Sequence, residues 1–61
     1  MNEAQRAALT ALCGRYNVPF SESDFRPAFD LPAGYVAGWV YDTHHAGIIS
    51  VGVDPEGRIS S

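Results

Sequence analysis

Lysine is absent from this 61-residue chain, and its four arginines are outnumbered by seven acidic residues, which gives a net charge of −3. Non-specific affinity for nucleic acid comes from clustered cations that displace counterions from phosphates. The cations of this chain are instead spread along the sequence, at Arg6, Arg15, Arg26 and Arg58. The pattern therefore disfavours a nucleic-acid partner. The alternative hypothesis is that the four arginines gather on one surface while Tyr and Trp side chains stack on single strands.

Cysteine and histidine are too few for the common metal and catalytic sites. Cys13 is the only cysteine, so neither an intramolecular disulfide nor a cysteine-rich zinc site can form. His44 and His45 are adjacent, and even with an oxygen from Asp42 they fall short of a zinc site in defined geometry. We interpret the two histidines as a solvated loop pair. We expect no metal, no cofactor, no catalytic residue and no enzymatic activity.

Long hydrophobic runs are also missing, since no apolar stretch approaches the ~20 residues that a membrane span needs. Residues 1–6 lack the positive segment followed by an apolar segment that marks a signal peptide. A single free cysteine fits a reducing compartment. We therefore expect a cytoplasmic protein that does not associate with membranes.

The length predicts one domain spanning residues 1–61, with little stability to spare. A chain of this size buries only about 60% of the surface that its unfolded form exposes. Small domains compensate with disulfides, a structural metal or oligomerisation. Because the cysteine and histidine content disfavours the first two, the chain depends on a tight core alone or on association, and we favour association as a homo-oligomer or with a partner protein.

The first periodic segment predicts a helix over about residues 3–16. Asn2 is a good N-cap, and Glu3 places a negative charge in the first turn. Gln5 lies mostly outside the apolar stripe, and Asn17 is a plausible left-handed residue at the C-terminal end. The stripe follows the i, i+3, i+4, i+7 spacing of an amphipathic helix and consists of Leu9, Leu12, Cys13 and Tyr16. Its position on this stripe predicts that Cys13 is a buried structural thiol.

Residues 17–34 form an arm that carries three of the four prolines and has no clear period. Ser21 is a candidate N-cap for one helical or 3₁₀ turn through Phe25, which Pro27 would stop. The three phenylalanines of the arm are expected to plug the edge of the core rather than to form a ligand site, because each brings a large apolar area; they are Phe20, Phe25 and Phe29.

Residues 35–60 predict a three-stranded antiparallel β-meander, so the expected fold class is α+β, with one N-terminal helix packed on the meander. Alternation in the first strand puts Tyr35, Ala37, Trp39 and Tyr41 on one face, and Val36, Gly38 and Val40 on the other. Gly38 marks a bulge or a close approach of another backbone. The second strand covers Ile48 to Val53. The turn at residues 54–57 then returns Arg58 to Ser60 as the third strand.

Both faces of the first strand are apolar, although one helix can cover only one of them. Either the arm folds across the second face, or another molecule does, and we favour an interface because two-sided apolar strands must be covered. Tyr and Trp are also common in binding hot spots. The candidate interface residues are Phe29, Tyr35, Trp39 and Tyr41.

Three runs of sequence carry a resemblance: Arg15 to Phe20, Leu31 to Val40, and Val51 to Ser61, which closes with Val-Gly-x-x-Pro-Glu-Gly-Arg-x-Ser-Ser. Together they resemble a group of small uncharacterised proteins of actinobacteriophages, mycobacteriophages among them. The resemblance covers most of the chain after the helix and implies the cytoplasm of an infected actinobacterium, but no activity. The expected function is that of a small phage accessory protein, a protein-protein interaction module that self-associates and binds a host or phage protein.

Overall fold

A computed structural model describes residues 1–42 and 47–60 of the chain. Its elements are helix α1 (Glu3–Arg15), a 3₁₀ turn (Glu22–Asp24), and strands β1 (Phe25–Pro27), β2 (Val36–Asp42), β3 (Gly47–Val53) and β4 (Ile59–Ser60). The strands form one antiparallel sheet in the order β1-β2-β3-β4. The predicted α+β class, an N-terminal helix with an antiparallel meander, is confirmed. The sheet has four strands where three were predicted.

Both ends of α1 are capped by local hydrogen bonds. The Asn2 carboxamide oxygen accepts from the Gln5 backbone N–H at 2.9 Å, and the Gln5 side-chain oxygen accepts from the Asn2 backbone N–H at 3.0 Å, which makes a reciprocal capping box. At the other end, Val18 N–H donates to the Cys13 carbonyl and Asn17, at φ 58°, donates to the Gly14 carbonyl. This is a Schellman motif, so Asn17 has the predicted left-handed conformation.

The apolar stripe of α1 packs on one face of the sheet and forms the core. Leu9, Leu12 and Cys13 are buried there, and Tyr16 is partly buried at the edge of the same cluster. The sheet and the arm contribute the remaining core side chains: Phe25, Val36, Val40, Val51 and Val53. The helical spacing therefore identified the helix residues of the core correctly.

Gln5 is buried as deeply as the core leucines, with 2% of its surface exposed, although it lies off the apolar stripe. Its side-chain nitrogen donates to the Gly34 carbonyl at 2.7 Å and to the Val53 carbonyl at 3.3 Å. Together with the capping box, these bonds satisfy both ends of the buried amide. Gln5 thus ties the start of α1 to the arm and to β3.

The register of β2 and β3 separates the two faces of the sheet as alternation predicted. Val36 pairs with Val53, Gly38 with Val51 and Val40 with Ile49, and these pairs face α1. We call the opposite side of these two strands the outer face. It is formed by Ala37, Trp39 and Tyr41 of β2 and by Ile48, Ser50 and Gly52 of β3.

Strand β1 is the part of the sheet that the sequence did not predict. It lies inside the arm, where Phe25 pairs with Gly38 and Pro27 with Val36. A strand containing proline is tolerated here because β1 is an edge strand. A Cβ atom at Gly38 would lie 2.5 Å from the Asp24 carbonyl oxygen and closer still to the Phe25 ring, so Gly38 marks a close backbone approach.

The arm follows the prediction at two phenylalanines and departs from it at the third. Phe25 is buried, and Phe20 stacks on it with ring centroids 6.0 Å apart. Phe29, expected to plug the core, is 98% exposed because it lies in the turn after β1, past the end of the strand. The 3₁₀ turn is present, but the Ser21 hydroxyl bonds to the Ser23 hydroxyl instead of capping it.

The turn between β3 and β4 forms as predicted and also contacts the helix. The Gly57 N–H donates to the Asp54 carbonyl at 3.0 Å, and Gly57 has φ 87°. The Asp54 carboxylate accepts from the backbone N–H groups of Glu56 and Arg58. The Asn2 side chain donates to the Pro55 carbonyl at 2.8 Å, which holds the turn against the start of α1.

Candidate interaction surface

The outer face carries an exposed apolar cluster at the hairpin end of β2 and β3, and the exposed Arg26 of β1 lies beside Ala37 on the same side of the sheet. Trp39 is 65% exposed, Tyr41 50% and Ile48 64%. Tyr41 pairs directly with Ile48, and Trp39 pairs with Ser50 across the two strands. The exposed fractions of the two aromatic side chains alone correspond to on the order of 250 Å². Contiguous apolar patches of several hundred Å² usually mark an interaction site.

The arm covers only the other end of the outer face. Leu31 lies against Gly52, where an added Cβ atom would be 3.5 Å from Leu31 Cδ1. The described residues leave most of the Trp39 side chain exposed. The arm therefore covers the face at Gly52, as one alternative of the sequence analysis expected, and leaves the part around Trp39 exposed.

The four candidate interface residues do not lie together. Trp39 and Tyr41 share the exposed cluster, whereas Tyr35 is half-buried before β2 and accepts a backbone hydrogen bond from Ala28. Phe29 is exposed in the turn that follows β1, outside the strands. The cluster also includes Ile48, which sequence reasoning assigned to the second strand but did not name as an interface residue. The cross-strand register of Ile48 with Tyr41 would have been the signal.

A groove of about 440 Å³ runs beside β2 beyond the end of β1. We call it the edge groove. Burial, followed by the charge of Asp24, raises the pKa of the Cys13 thiol at its base, so this thiol stays protonated and poorly nucleophilic. The side chains that line the groove around Asp24 are mostly apolar: Cys13, Val18, Pro19, Phe25 and Val40, together with Trp39, Tyr41 and Ile48 of the exposed cluster, so the groove adjoins the outer face.

Two of the four arginines are held by carboxylates. Arg6 donates to both carboxylate oxygens of Glu22, at 2.9 and 3.3 Å, and also pairs with Glu3. The hydrogen bond from Arg6 lowers the pKa of Glu22 below its usual range. Arg58 pairs with Glu56 at 3.1 Å. Binding phosphates through Arg6 or Arg58 would therefore require these ion pairs to break.

In the part of the chain that the structure describes, no group of three His, Cys, Asp or Glu side chains is placed to hold a metal ion. The predicted loop pair of His44 and His45 lies outside the described residues. Across residues 1–42 and 47–60, no helix combines the length and the apolar character that crossing a bilayer requires.

Compared with protein-family models, with curated proteins and with solved structures, the chain matches none. Its function is therefore inferred from the chemistry of its own surface.

Proposed function

We propose that the protein is a small interaction module that self-associates through the outer face and binds a host or phage protein in the cytoplasm of an infected actinobacterium. The observation that carries this proposal is the cluster of Trp39, Tyr41 and Ile48, which is exposed on the outer face. Large rigid aromatic side chains of this kind supply most of the binding energy in many protein interfaces.

The charge distribution supports a second copy as one occupant. A chain with net charge −3 repels its copies in general, but the repulsion is smallest where the contacting surfaces carry no charge. The six residues that β2 and β3 place on the outer face include no Asp, Glu, Arg or Lys, and the exposed Arg26 of β1 lies beside them at Ala37. A two-fold dimer would place these six residues against their copies without opposing like charges.

The apolar cluster can form the centre of a small dimer interface. Stable interfaces bury about 800 Å² on each partner, with an apolar centre and a polar rim. The exposed aromatic and aliphatic side chains supply the centre, and Ser50 with Ser60 adds hydroxyl groups beside it. The same surface, when not self-associated, is available to a different protein.

A matched pair of serine substitutions tests the proposal. Ser50→Asp places a charge in the middle of the outer face, and in a two-fold dimer it brings two like charges together. Ser23→Asp makes the same change in the exposed 3₁₀ turn. Sedimentation equilibrium should show self-association for the wild type and for Ser23→Asp, and a monomer for Ser50→Asp.

Trp39→Ser tests the same face by removing apolar surface. Because Trp39 is mostly exposed in the monomer, the variant should lose self-association while its unfolding temperature, measured on dilute protein, changes little. A wild-type chain that is monomeric at every concentration would contradict the proposed self-association. Retained self-association in Ser50→Asp and Trp39→Ser would show that another surface mediates it.

A further inference from the structure

Strand β2 is longer than its neighbour β1, and this difference leaves an open edge. β1 pairs only with residues 36–38, so on that side residues 39–42 have no partner strand among the described residues. The Ala28 N–H donates to the Tyr35 carbonyl, so the backbone of Tyr35 faces the side of β1. Every second residue of an antiparallel strand directs its N–H and C=O to the same side. Tyr41 is six positions after Tyr35, so its N–H and C=O also face this side, where the edge is open.

The chain itself turns away from the position that a further strand would occupy. Before β1, residues 22–24 form the 3₁₀ turn instead of continuing beside β2. The edge groove lies in the space that results, bordered by Val18 and Phe25 on one side and Val40 on the other. An unpaired strand edge beside an apolar groove is the arrangement that binds an extended peptide by strand addition, with main-chain hydrogen bonds for affinity and pockets for alternate side chains.

Asp24 gives the groove its charge. Within residues 1–42 and 47–60, its carboxylate accepts no hydrogen bond and forms no ion pair, although it lines the groove. The neighbouring acid Glu22 is already held by Arg6. A cationic side chain in the groove would therefore find a carboxylate that none of the described residues already binds.

A second copy of the chain does not satisfy this requirement well. A symmetric pairing of two β2 edges would bring two Asp24 carboxylates near each other, and each chain carries a net charge of −3. The chain has no lysine, and Arg6 and Arg58 are held by carboxylates, which leaves Arg15 and Arg26 as the cations that a second copy could offer against this repulsion. Charge complementarity thus favours a segment of a different protein.

We propose that the open edge of β2 binds an extended, basic segment of another protein by strand addition, with an apolar side chain of the segment in the edge groove and an Arg or Lys side chain paired with Asp24. This inference deepens the proposed interaction function and rests on it. The edge groove shares Trp39, Tyr41 and Ile48 with the outer face but does not include Ser50, so Ser50→Asp tests the outer face separately from the groove.

A random library of displayed twelve-residue peptides, selected on the immobilised protein, tests the inference. The enriched peptides should alternate apolar and other residues and carry at least one Arg or Lys. A representative peptide, synthesised with a fluorescent label, should bind about tenfold more weakly to Asp24→Asn, because a charge-assisted contact is lost. Asp30→Asn, which neutralises an exposed acid of the arm, should bind it as the wild type does.

Two further arms identify the binding mode. A variant of the peptide in which Glu replaces the Arg or Lys should bind the Asp24→Lys protein and not the wild type. A non-specific apolar contact would not give this exchange of preference. Two further peptides carry methyl groups on the backbone nitrogens of either the odd or the even positions. One of the two should lose binding and the other should keep it, because strand addition needs only the N–H groups that face Tyr41.

The inference is overturned if no peptide is enriched, if the enriched peptides lack cations, or if Asp24→Asn and backbone methylation leave binding unchanged. A change in the oligomeric mass of Asp24→Asn would instead assign the open edge to a second copy. Peptide binding retained in Ser50→Asp, together with loss of self-association, would separate this site from the outer face. Failure of peptide binding with self-association intact would remove the edge proposal alone.

Discussion

Replacing Gln5 with alanine should destabilise the fold more than any other single truncation on the polar side of α1. The side-chain nitrogen donates to the carbonyls of Gly34 and Val53, and the side-chain oxygen accepts from Asn2, so three backbone groups lose a partner. A buried group left unsatisfied costs about 1–3 kcal/mol, whereas exposed ones are rehydrated. Since only Val53 is fully buried among the three, we expect a total loss of about 2–3 kcal/mol, including the cavity.

This loss is large for a domain of this size. At about 0.05–0.15 kcal/mol per residue, 61 residues give a free energy of unfolding of roughly 3–9 kcal/mol. Each kcal/mol corresponds to about 4–8 °C in a small domain, so Gln5→Ala should lower the melting temperature by about 10–20 °C. Urea and thermal unfolding followed by circular dichroism measure both quantities.

The control for Gln5→Ala is Thr10→Ala on the exposed side of the same helix. The Thr10 hydroxyl donates only to the Arg6 carbonyl one turn earlier, and alanine is the better helix former. Thr10→Ala should therefore be neutral or slightly stabilising. A loss of less than about 0.5 kcal/mol in Gln5→Ala, within the usual range of surface substitutions, would refute the role given to the buried amide.

Three further predictions concern other parts of the fold. In urea titrations, Gly38→Ala should lower the free energy of unfolding by at least about 2 kcal/mol, because the added Cβ atom collides with Asp24 and Phe25. Gly14→Ala should raise it by about 0.5–1 kcal/mol, because the added Cβ atom meets nothing within 4 Å and alanine favours the helix. The Arg6 hydrogen bond lowers the pKa of Glu22, so its stabilising effect is present at neutral pH and is lost as the pH falls from the ordinary glutamate pKa of about 4.3 through the lower pKa of the folded state. Melting temperatures from pH 7 to pH 3 should therefore fall less in Glu22→Gln than in the wild type, and an equal fall would contradict the pair. The buried Cys13 thiol, whose pKa is raised by burial, should react with an aromatic disulfide reagent much more slowly than a free thiol, and reaction as fast as that of a free thiol in native buffer would contradict its burial.

The features that could be predicted from the sequence are those set by local rules. The helix spacing of Leu9, Leu12 and Cys13, the left-handed Asn17 and the turn from Asp54 to Gly57 each depend on a few adjacent residues. Alternation also assigned Trp39 and Tyr41 to one face. It did not determine which face α1 would cover, because both faces of the strand are apolar and that choice depends on packing against the whole sheet.

The features that could not be predicted depend on contacts far apart in the sequence. The burial of Gln5 requires the carbonyls of Gly34 and Val53, which lie 29 and 48 positions away. Strand β1 is three residues long, contains Pro27 and forms only because Gly38 lets the arm approach β2. The edge groove exists because β1 stops pairing with β2 after residue 38 of β2, and no local sequence motif predicts where that pairing stops.

The emission of Trp39, measured against protein concentration, tests the proposed self-association most directly. Trp39 is the only tryptophan of the chain and is largely exposed in the single chain, so its emission reports on this face alone. If the outer face is the self-association surface, the emission should shift to the blue as concentration rises, with the same midpoint as the change in mass by sedimentation. A mass that doubles while Trp39 keeps the emission of a solvated indole, or a chain that stays monomeric throughout, would contradict it.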